Sequence, residues 1–412
     1  MPFEPNFHPS PDVAAILHAL LDAYERRTTS SPVPQRAVRY PITGATLPGY
    51  HSQLDPVPRQ VANEQLQALE RAGLLKLEWL PGESGHLLAA ATLVPDRAGA
   101  IFRLLNRTAQ AVQRARLADR LLGERFRFDD WRLTAIQRCL ERLRAGKSPA
   151  PFSLTDDDFD RDVLTALAAF DQIKEETPYR VFSVRAFNDS KRFEDLIGAL
   201  CALARRGQAD WKGWSNDEIL RELNLAANPT HLYLYGPWQL VGEAGQTLAL
   251  GEFYPSVGLP AAQAHHLRRV GVEARRVICV ENPTSFYELI RNTPYAALCL
   301  WGNPSPACRR LLSRLVADLP SDASVLVWAD IDYGGLNILA QLREQISPRF
   351  MPYRMDIGTL EAHAAWARPL TPGDARHLTR LAVRPSLVDM RPLIDHMLRR
   401  GLKLEQEAIV MD

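Results

Sequence analysis

The chain has 412 residues, enough for two to four domains at roughly 150 residues each and for more than one hydrophobic core. With 46% hydrophobic and 24% charged residues it is neither a wholly disordered, a collagen-like nor a transmembrane sequence. Its 49 Lys plus Arg against 48 Asp plus Glu leave a net charge of +1, which excludes a strongly basic tail; a basic face offset by acids elsewhere stays open.

In chain order, PDVAAILHALLDAYERR (11–27) predicts a helix, with Pro11 in its first turn and Val13, Ile16, Leu17, Leu20 and Tyr24 on its apolar face. The Pro/Ser-rich TTSSPVPQ breaks it. A second helix is expected over 59–75, ending at Gly73, and LLKLEWLPGESGHLLAAATLV then reads as strand, turn, strand. Helices followed by a hairpin are the order of a winged helix, a module that contacts either a duplex or another protein. If it contacts DNA, Arg36, Arg39 and Arg59 are its candidate phosphate ligands. Residues 97–147 read as a helical arm, with Leu104, Leu105, Ala109, Val112 and Leu117 as its apolar stripe and its many arginines as a solvated face. A linker, 148–160, has an acidic run suited to a helix first turn, and a helix over 161–173 follows.

A second winged-helix-like module is expected from 178. Val181 to Val184 fit a short strand, SKRFEDLIGALCALARR an amphipathic helix capped by Ser190, and SNDEILRELNL a helix opening at Ser215. HLYLYG and QTLAL would form the hairpin. From 256 to 345, strand and helix patterns alternate: a helix over 260–270, the strand VICV, a helix near 284–291, ALCL, a helix over 305–318, VLVW, and a helix over 335–344. Short continuous apolar runs are what parallel strands covered on both faces look like, so an α/β domain is expected, with its ligand site at the carboxyl ends of the strands. The remainder, 352–412, reads as mostly helical. The fold class is thus a multidomain α+β and α/β chain, divided into 1–96, 97–177, 178–250 and 251–412.

Five cysteines, at 139, 201, 279, 299 and 308, match neither a disulfide framework nor zinc-finger spacing and are expected to be buried thiols of a reducing compartment. The opening MPFEPNFHPSPD lacks the basic and apolar regions of a signal peptide, and no apolar run reaches the roughly 20 residues of a membrane span, so a cytoplasmic location is expected.

Two strand ends carry chemistry. VICV is followed by Glu281, and VLVWA by Asp330-Ile331-Asp332. Asp330 and Asp332 are two apart, so in an extended segment they point the same way. Three acids converging on one sheet edge repel one another unless a cation lies between them, and hard oxygen ligands suit Mg²⁺ or Mn²⁺. Gly334 and Gly335 open the next helix and leave room for backbone near a phosphate. Glu405 and Glu407 either extend this site or form a salt-linked helix end. Lys191 and Arg192 are candidate phosphate contacts. His265 and His266 face different ways on a helix and make no ligand pair, whereas Arg268-Arg269, Arg275-Arg276 and Arg309-Arg310 could give a cleft a positive rim. No GxxxxGK[ST] loop is present, so any ATP hydrolysis belongs to a partner.

Glu281 followed about 50 residues later by Asp330-Ile331-Asp332 resembles the glutamate and DxD of the Toprim domain. FNDSKRFEDL (187–196), VENPTSF (280–286), WGN (301–303), WADIDYGGLNIL (328–339), PYRMD (352–356) and KLEQE (403–407), in that order, resemble the nuclease subunits of Wadjet anti-plasmid systems. The resemblance covers roughly 178–412 and extends to the A subunit of type IIB topoisomerases. It implies a central winged-helix (CAP-like) domain, a Toprim domain, a homodimer, and Glu281, Asp330 and Asp332 as metal-binding and catalytic residues. It further implies Mg²⁺ or Mn²⁺ as cofactor, double-stranded plasmid DNA as substrate and a condensin-like SMC ATPase complex as partner. The topoisomerases place a nucleophilic tyrosine just before the helix that SKRFEDLIGAL resembles; here Phe182, Ser183 and Val184 stand nearest that place, with Tyr179 a few residues early. The expected activity is therefore hydrolytic cleavage, with strand passage through Tyr179 and a non-catalytic DNA-binding adaptor as the alternatives.

Overall fold

The computed structural model describes residues 7–28, 37–291, 293–320 and 322–409. The chain divides into two compact units, residues 1–164 with 206–208, and residues 165–205 with 209–412.

In the first unit the helix Pro11–Thr28 buries Val13, Ile16, Leu17, Leu20 and Leu21, the face expected from its spacing, while Tyr24 is only partly covered. Glu25 is buried as well, because Arg107 meets one carboxylate oxygen at 2.5 Å and the Gln110 N–H the other at 2.6 Å. The helix Val57–Arg71 and the antiparallel pair Leu75–Trp79 and Leu88–Leu93 follow, and Arg39–Pro41 adds a third strand against Leu88–Leu93. Gly73 ends the second helix at φ 72°, a left-handed conformation that glycine adopts without steric cost. The arm is three helices, Ala98–Leu104, Gln110–Glu124 and Trp131–Arg144, broken at Asn106 with φ 48°. That break divides the expected stripe: Leu117 is buried, Leu104, Leu105 and Ala109 are half-buried, and Val112 is exposed. The next helix, Asp157–Ala169, starts earlier than expected, with Asp157, Asp158 and Asp160 in its first turn. Arg39 forms an exposed pair with Glu78 at 2.8 Å, and Arg36 lies outside the described residues.

The second unit is organised by a six-stranded sheet. Arg276–Val280 lies at its centre, parallel to Ala296–Cys299 on one side and Ser324–Trp328 on the other; Phe350–Pro352 extends the parallel set. His231–Tyr235 pairs antiparallel with Ala296–Cys299, and Val257–Pro260 closes that edge. Val277 to Val280 and Ala296 to Cys299 are wholly or nearly buried, as strands covered on both faces must be. The helices Pro283–Arg291, Pro306–Asp318 and Tyr333–Gln345 supply Phe286, Leu311, Leu336 and Leu339 to the same core. Beyond the sheet come the helices Ile357–Ala362, Pro372–Leu381 and Arg391–Arg400.

Three local expectations are corrected. Residues 181–184 are not a strand but part of the helix Tyr179–Phe187, terminated by Asn188 at φ 56°. HLYLYG and QTLAL do not form one hairpin: His231–Tyr235 belongs to the large sheet, while Thr247–Ala249 pairs with Trp238–Gly242, which also pairs with Leu267–Val272. Residues 260–270 are not one helix; the helix covers only Gln263–His266, and a strand follows. All five cysteines are buried and free. Among the described residues no helix is long and apolar enough to cross a membrane.

Candidate metal centre

Glu281 and Asp330 follow adjacent parallel strands whose last residues, Val280 and Trp328, are in register. The ladder continues one step further, with the Glu281 N–H donating to the Trp328 carbonyl at 2.9 Å. Strand pairing therefore places these two acids side by side at the carboxyl end of the sheet, where α/β folds place their ligands. Glu281 Oε2 accepts the Asp330 N–H at 3.0 Å, and Asp330 Oδ1 accepts the Gln406 N–H at 2.7 Å. Asp332 is the N-cap of the helix Tyr333–Gln345, its Oδ1 accepting the Gly335 N–H at 2.9 Å.

Gly335 is required by close approach. A Cβ there would lie 2.1 Å from the Asp330 carbonyl oxygen and 2.9 Å from the Ala329 Cβ. The glycine thus lets the helix capped by Asp332 start against the Asp330 backbone.

Burial pushes the Glu281 carboxyl up to about 8, helped by the charges of Asp330, Asp332 and Glu218 and opposed by the bond from the Asp330 N–H. Burial also raises Asp330 to about 7, with Asp332, Glu407 and Glu405 adding repulsion and the Gln406 N–H opposing it. Asp332 is raised by burial, against the Gly335 N–H and the positive charge of Lys403. Three carboxyls with little water resist ionising together, and a cation would relieve both burial and mutual repulsion. Each commits an oxygen to a backbone N–H, leaving a second oxygen to offer. Among the described residues no group of three or more His, Cys, Asp and Glu is already gathered as a metal cluster. The donor set is nevertheless of the hard-oxygen kind that fits Mg²⁺ or Mn²⁺ with part of its shell left to water.

Sequence reasoning missed two neighbours. Gln406, wholly buried, donates from Nε2 to the Trp328 carbonyl at 2.9 Å and accepts the Asn282 N–H on Oε1 at 3.0 Å. Glu218 forms a capping box with Ser215, accepts from Asn303 Nδ2 at 2.8 Å, and repels Glu281. Gln406 stands in the middle of KLEQE, where the charges on either side drew attention instead. Those charges have separate partners: Glu405 pairs with Arg368 and Glu407 with the Asn282 amide, both at 2.5 Å.

The other candidates stand as follows. Lys191 is exposed, and its N–H donates to Asp189 Oδ1 at 2.8 Å. Arg192 begins the helix Arg192–Gly207 and lies 3.6 Å from Asp195. Ser190 is not what meets the first turn of that helix; Ser183 Oγ accepts the Phe193 N–H at 3.0 Å. Tyr179 is half-buried with its ring edge-on to Phe193, and burial beside Asp217 pushes its phenol up to about 12. Of the paired arginines, Arg309 is held by Glu222 at 2.8 Å and Arg269 by Asp318 at 3.3 Å, so neither is a free positive rim charge. His266 Nδ1 lies 3.9 Å from Glu243, and among the described residues neither His265 nor His266 belongs to a group of three or more His, Cys, Asp and Glu able to hold a metal.

Residues 251–412 match the family described as "Wadjet protein JetD, C-terminal". The chain is 24% identical to "Wadjet protein JetD" of Bacillus cereus (strain Q1) over 405 residues, covering 96% of this chain and 98% of that relative. The likeness to JetD thus extends over nearly the whole chain, whereas the six ordered motifs spanned only 187–407.

Proposed function

We propose that the chain is a metal-dependent endonuclease that cuts double-stranded plasmid DNA by phosphodiester hydrolysis, as the effector of a Wadjet defence system. The system follows from the likeness to JetD; the chemistry is argued from the acid centre. The observation that carries it is the pair of partly buried carboxyls, Glu281 and Asp330, on adjacent strand ends, both raised and both within the influence of Asp332. Such an arrangement is costly to a folded chain and serves no packing purpose, which favours a functional site over a structural one.

Glu281, Asp330 and Asp332 would hold Mg²⁺ or Mn²⁺. A bound ion of this type lowers the pKa of water and neutralises charge on a phosphate. The protein's part is to fix the three carboxylates, keep water scarce around them, and present the scissile phosphate from a duplex. Lys191 and Arg192 would meet neighbouring phosphates. One such centre cuts one strand, so this reading takes a second copy of the chain as partner; the condensin-like SMC ATPase complex is taken from the resemblance to Wadjet nuclease subunits alone.

Hydrolysis is favoured over covalent strand passage by Tyr179. A phenol raised to about 12 and packed on Phe193 is a poor nucleophile at neutral pH. The test is incubation of circular plasmid with the protein and Mg²⁺ or Mn²⁺, with and without the ATPase partner. Cleavage that needs metal and is lost in Glu281→Gln and Asp330→Ala is expected. Wild-type cutting by either variant would remove the assigned centre, and DNA binding without cutting under every condition would favour the adaptor.

A further inference from the structure

The segment after the helix Arg391–Arg400 returns to the acid-bearing end of the sheet. Leu402–Lys403 pairs antiparallel with Arg368–Pro369. Leu404 then exchanges both backbone bonds with Ile331, N–H to O distances being 2.9 and 3.1 Å. Ile331 lies between Asp330 and Asp332, so this exchange already ties the tail to the DxD. Two residues later Gln406 enters the interior with no exposure at all.

Gln406 spends three groups on the two acid-bearing strand ends. Its backbone N–H holds Asp330 Oδ1 at 2.7 Å. Its side-chain amide donates to the carbonyl of Trp328, two residues before Asp330, at 2.9 Å. Its side-chain oxygen accepts the N–H of Asn282, the residue after Glu281, at 3.0 Å. One planar amide thus spans from one strand end to the other, just beyond the last rung of the sheet ladder.

We infer that Gln406 is a positioning residue of the acid centre: it sets the separation of the Glu281 and Asp330 strand ends and the orientation of the Asp330 carboxylate, and so the affinity for the divalent cation. This rests on the metal-nuclease reading and goes beyond it by assigning part of the site to a residue that is not a ligand. The demand on the side chain is specific. It must donate to a carbonyl and accept from an N–H at once, which among uncharged side chains of this length only glutamine does. Glutamate keeps the shape but offers Trp328 no donor when ionised and adds charge beside Asp330. Methionine keeps the length and loses both bonds. Outer groups that orient metal ligands typically change affinity by about 10- to 100-fold when removed.

The experiment compares the full chain with Gln406→Met and Gln406→Glu. Mn²⁺ binding is measured by isothermal titration calorimetry without DNA, melting by circular dichroism without metal, and plasmid cleavage as a function of Mn²⁺. For Gln406→Met, Mn²⁺ binding weaker by about tenfold or more is expected, with a matching rise in half-saturating Mn²⁺. The plateau rate at saturating metal should fall by less than the half-saturation point moves. A residue that merely supports the fold would lower the melting temperature and leave Mn²⁺ affinity as in wild type, and that outcome overturns the inference. Should Gln406→Met fail to fold, the isosteric Gln406→Glu is read instead: Mn²⁺ binding weakened by about tenfold supports the inference despite the added carboxylate, and affinity equal to or above wild type overturns it. A wild-type chain that binds no Mn²⁺ removes the metal reading and this inference together; wild-type binding with unchanged variants removes the inference alone.

Discussion

Replacing Glu281 with glutamine should stabilise the metal-free protein while ending cleavage. Glutamine keeps an acceptor for the Asp330 N–H, which Glu281 Oε2 now meets at 3.0 Å, and removes the partly buried charge. Burial lifts this carboxyl from 4.5 to about 8. A pKa difference of one unit corresponds to about 1.4 kcal/mol, so the ionised carboxylate costs the folded chain on the order of a few kcal/mol. The pH window follows from which state ionises first. Below about 4.5 the carboxyl is protonated in folded and unfolded chains alike, and its contribution vanishes. As pH rises from there to about 8 the unfolded chain loses its proton first, so stability falls; above about 8 the penalty is complete. Melting at pH 8.5 in EDTA should place Glu281→Gln above wild type by several degrees, at about 2–4 °C per kcal/mol and with the full pKa difference discounted for the partial exposure of Glu281. The gap should close toward pH 4.5, the ordinary value for the carboxyl. Saturating Mn²⁺ should raise the wild type by about 2.7 kcal/mol at a hundredfold excess over its dissociation constant, and the variant by less. A variant that melts at or below wild type at pH 8.5, or a difference that does not change with pH, would refute the electrostatic account of the centre.

Three further outcomes are expected. Tyr179→Phe should cut plasmid as wild type does, with free DNA ends; a protein-linked end that vanishes in this variant, seen on denaturing gels with and without protease, would restore the strand-passage reading. Lys191→Ala and Arg192→Ala should each weaken duplex binding and lower the slope of log affinity against log salt by about 1, and an unchanged slope would remove them from the DNA surface. Mixing wild type with excess Asp332→Ala should turn double-strand breaks into nicks, and light scattering on DNA should give about twice 46.2 kDa; double-strand cutting by a strict monomer at an unchanged rate would reject the homodimer.

The three middle strands VICV, ALCL and VLVW were legible because they are apolar on both faces, and the helix Asn216–Glu222 because the capping residue Ser215 marks its start. The misread segments fail for identifiable reasons. Ala261, Ala264, Leu267 and Val270 recur at helical spacing and are all buried. The last two nevertheless lie on the strand Leu267–Val272, where a bulge between Leu267 and Arg269 inserts an extra residue and shifts the alternation. Val181 and Val184 favour a strand by propensity, yet both are exposed on a helix, because what fixes that segment is Phe182 packed between Phe170 and Phe193. Long-range packing outweighed local preference there.

The acid centre divides in the same way. Glu281, Asp330 and Asp332 announce themselves, since a carboxylate directly after an apolar strand has few structural reasons to be there. Gln406 does not, because an uncharged amide 76 residues beyond Asp330 and 124 beyond Asn282 carries no periodicity, charge or spacing that ties it to them. Its role arises only when the tail has paired with Ile331. Partly buried acids held by backbone N–H groups need those donors fixed, and sheet pairing fixes only one side of each strand end. The other side must be supplied by a segment from elsewhere in the chain, and a donor–acceptor amide is the smallest group that can close both ends at once. The acids can therefore be read from the strands that carry them, while their spacing depends on a tail whose sequence is silent until it is folded.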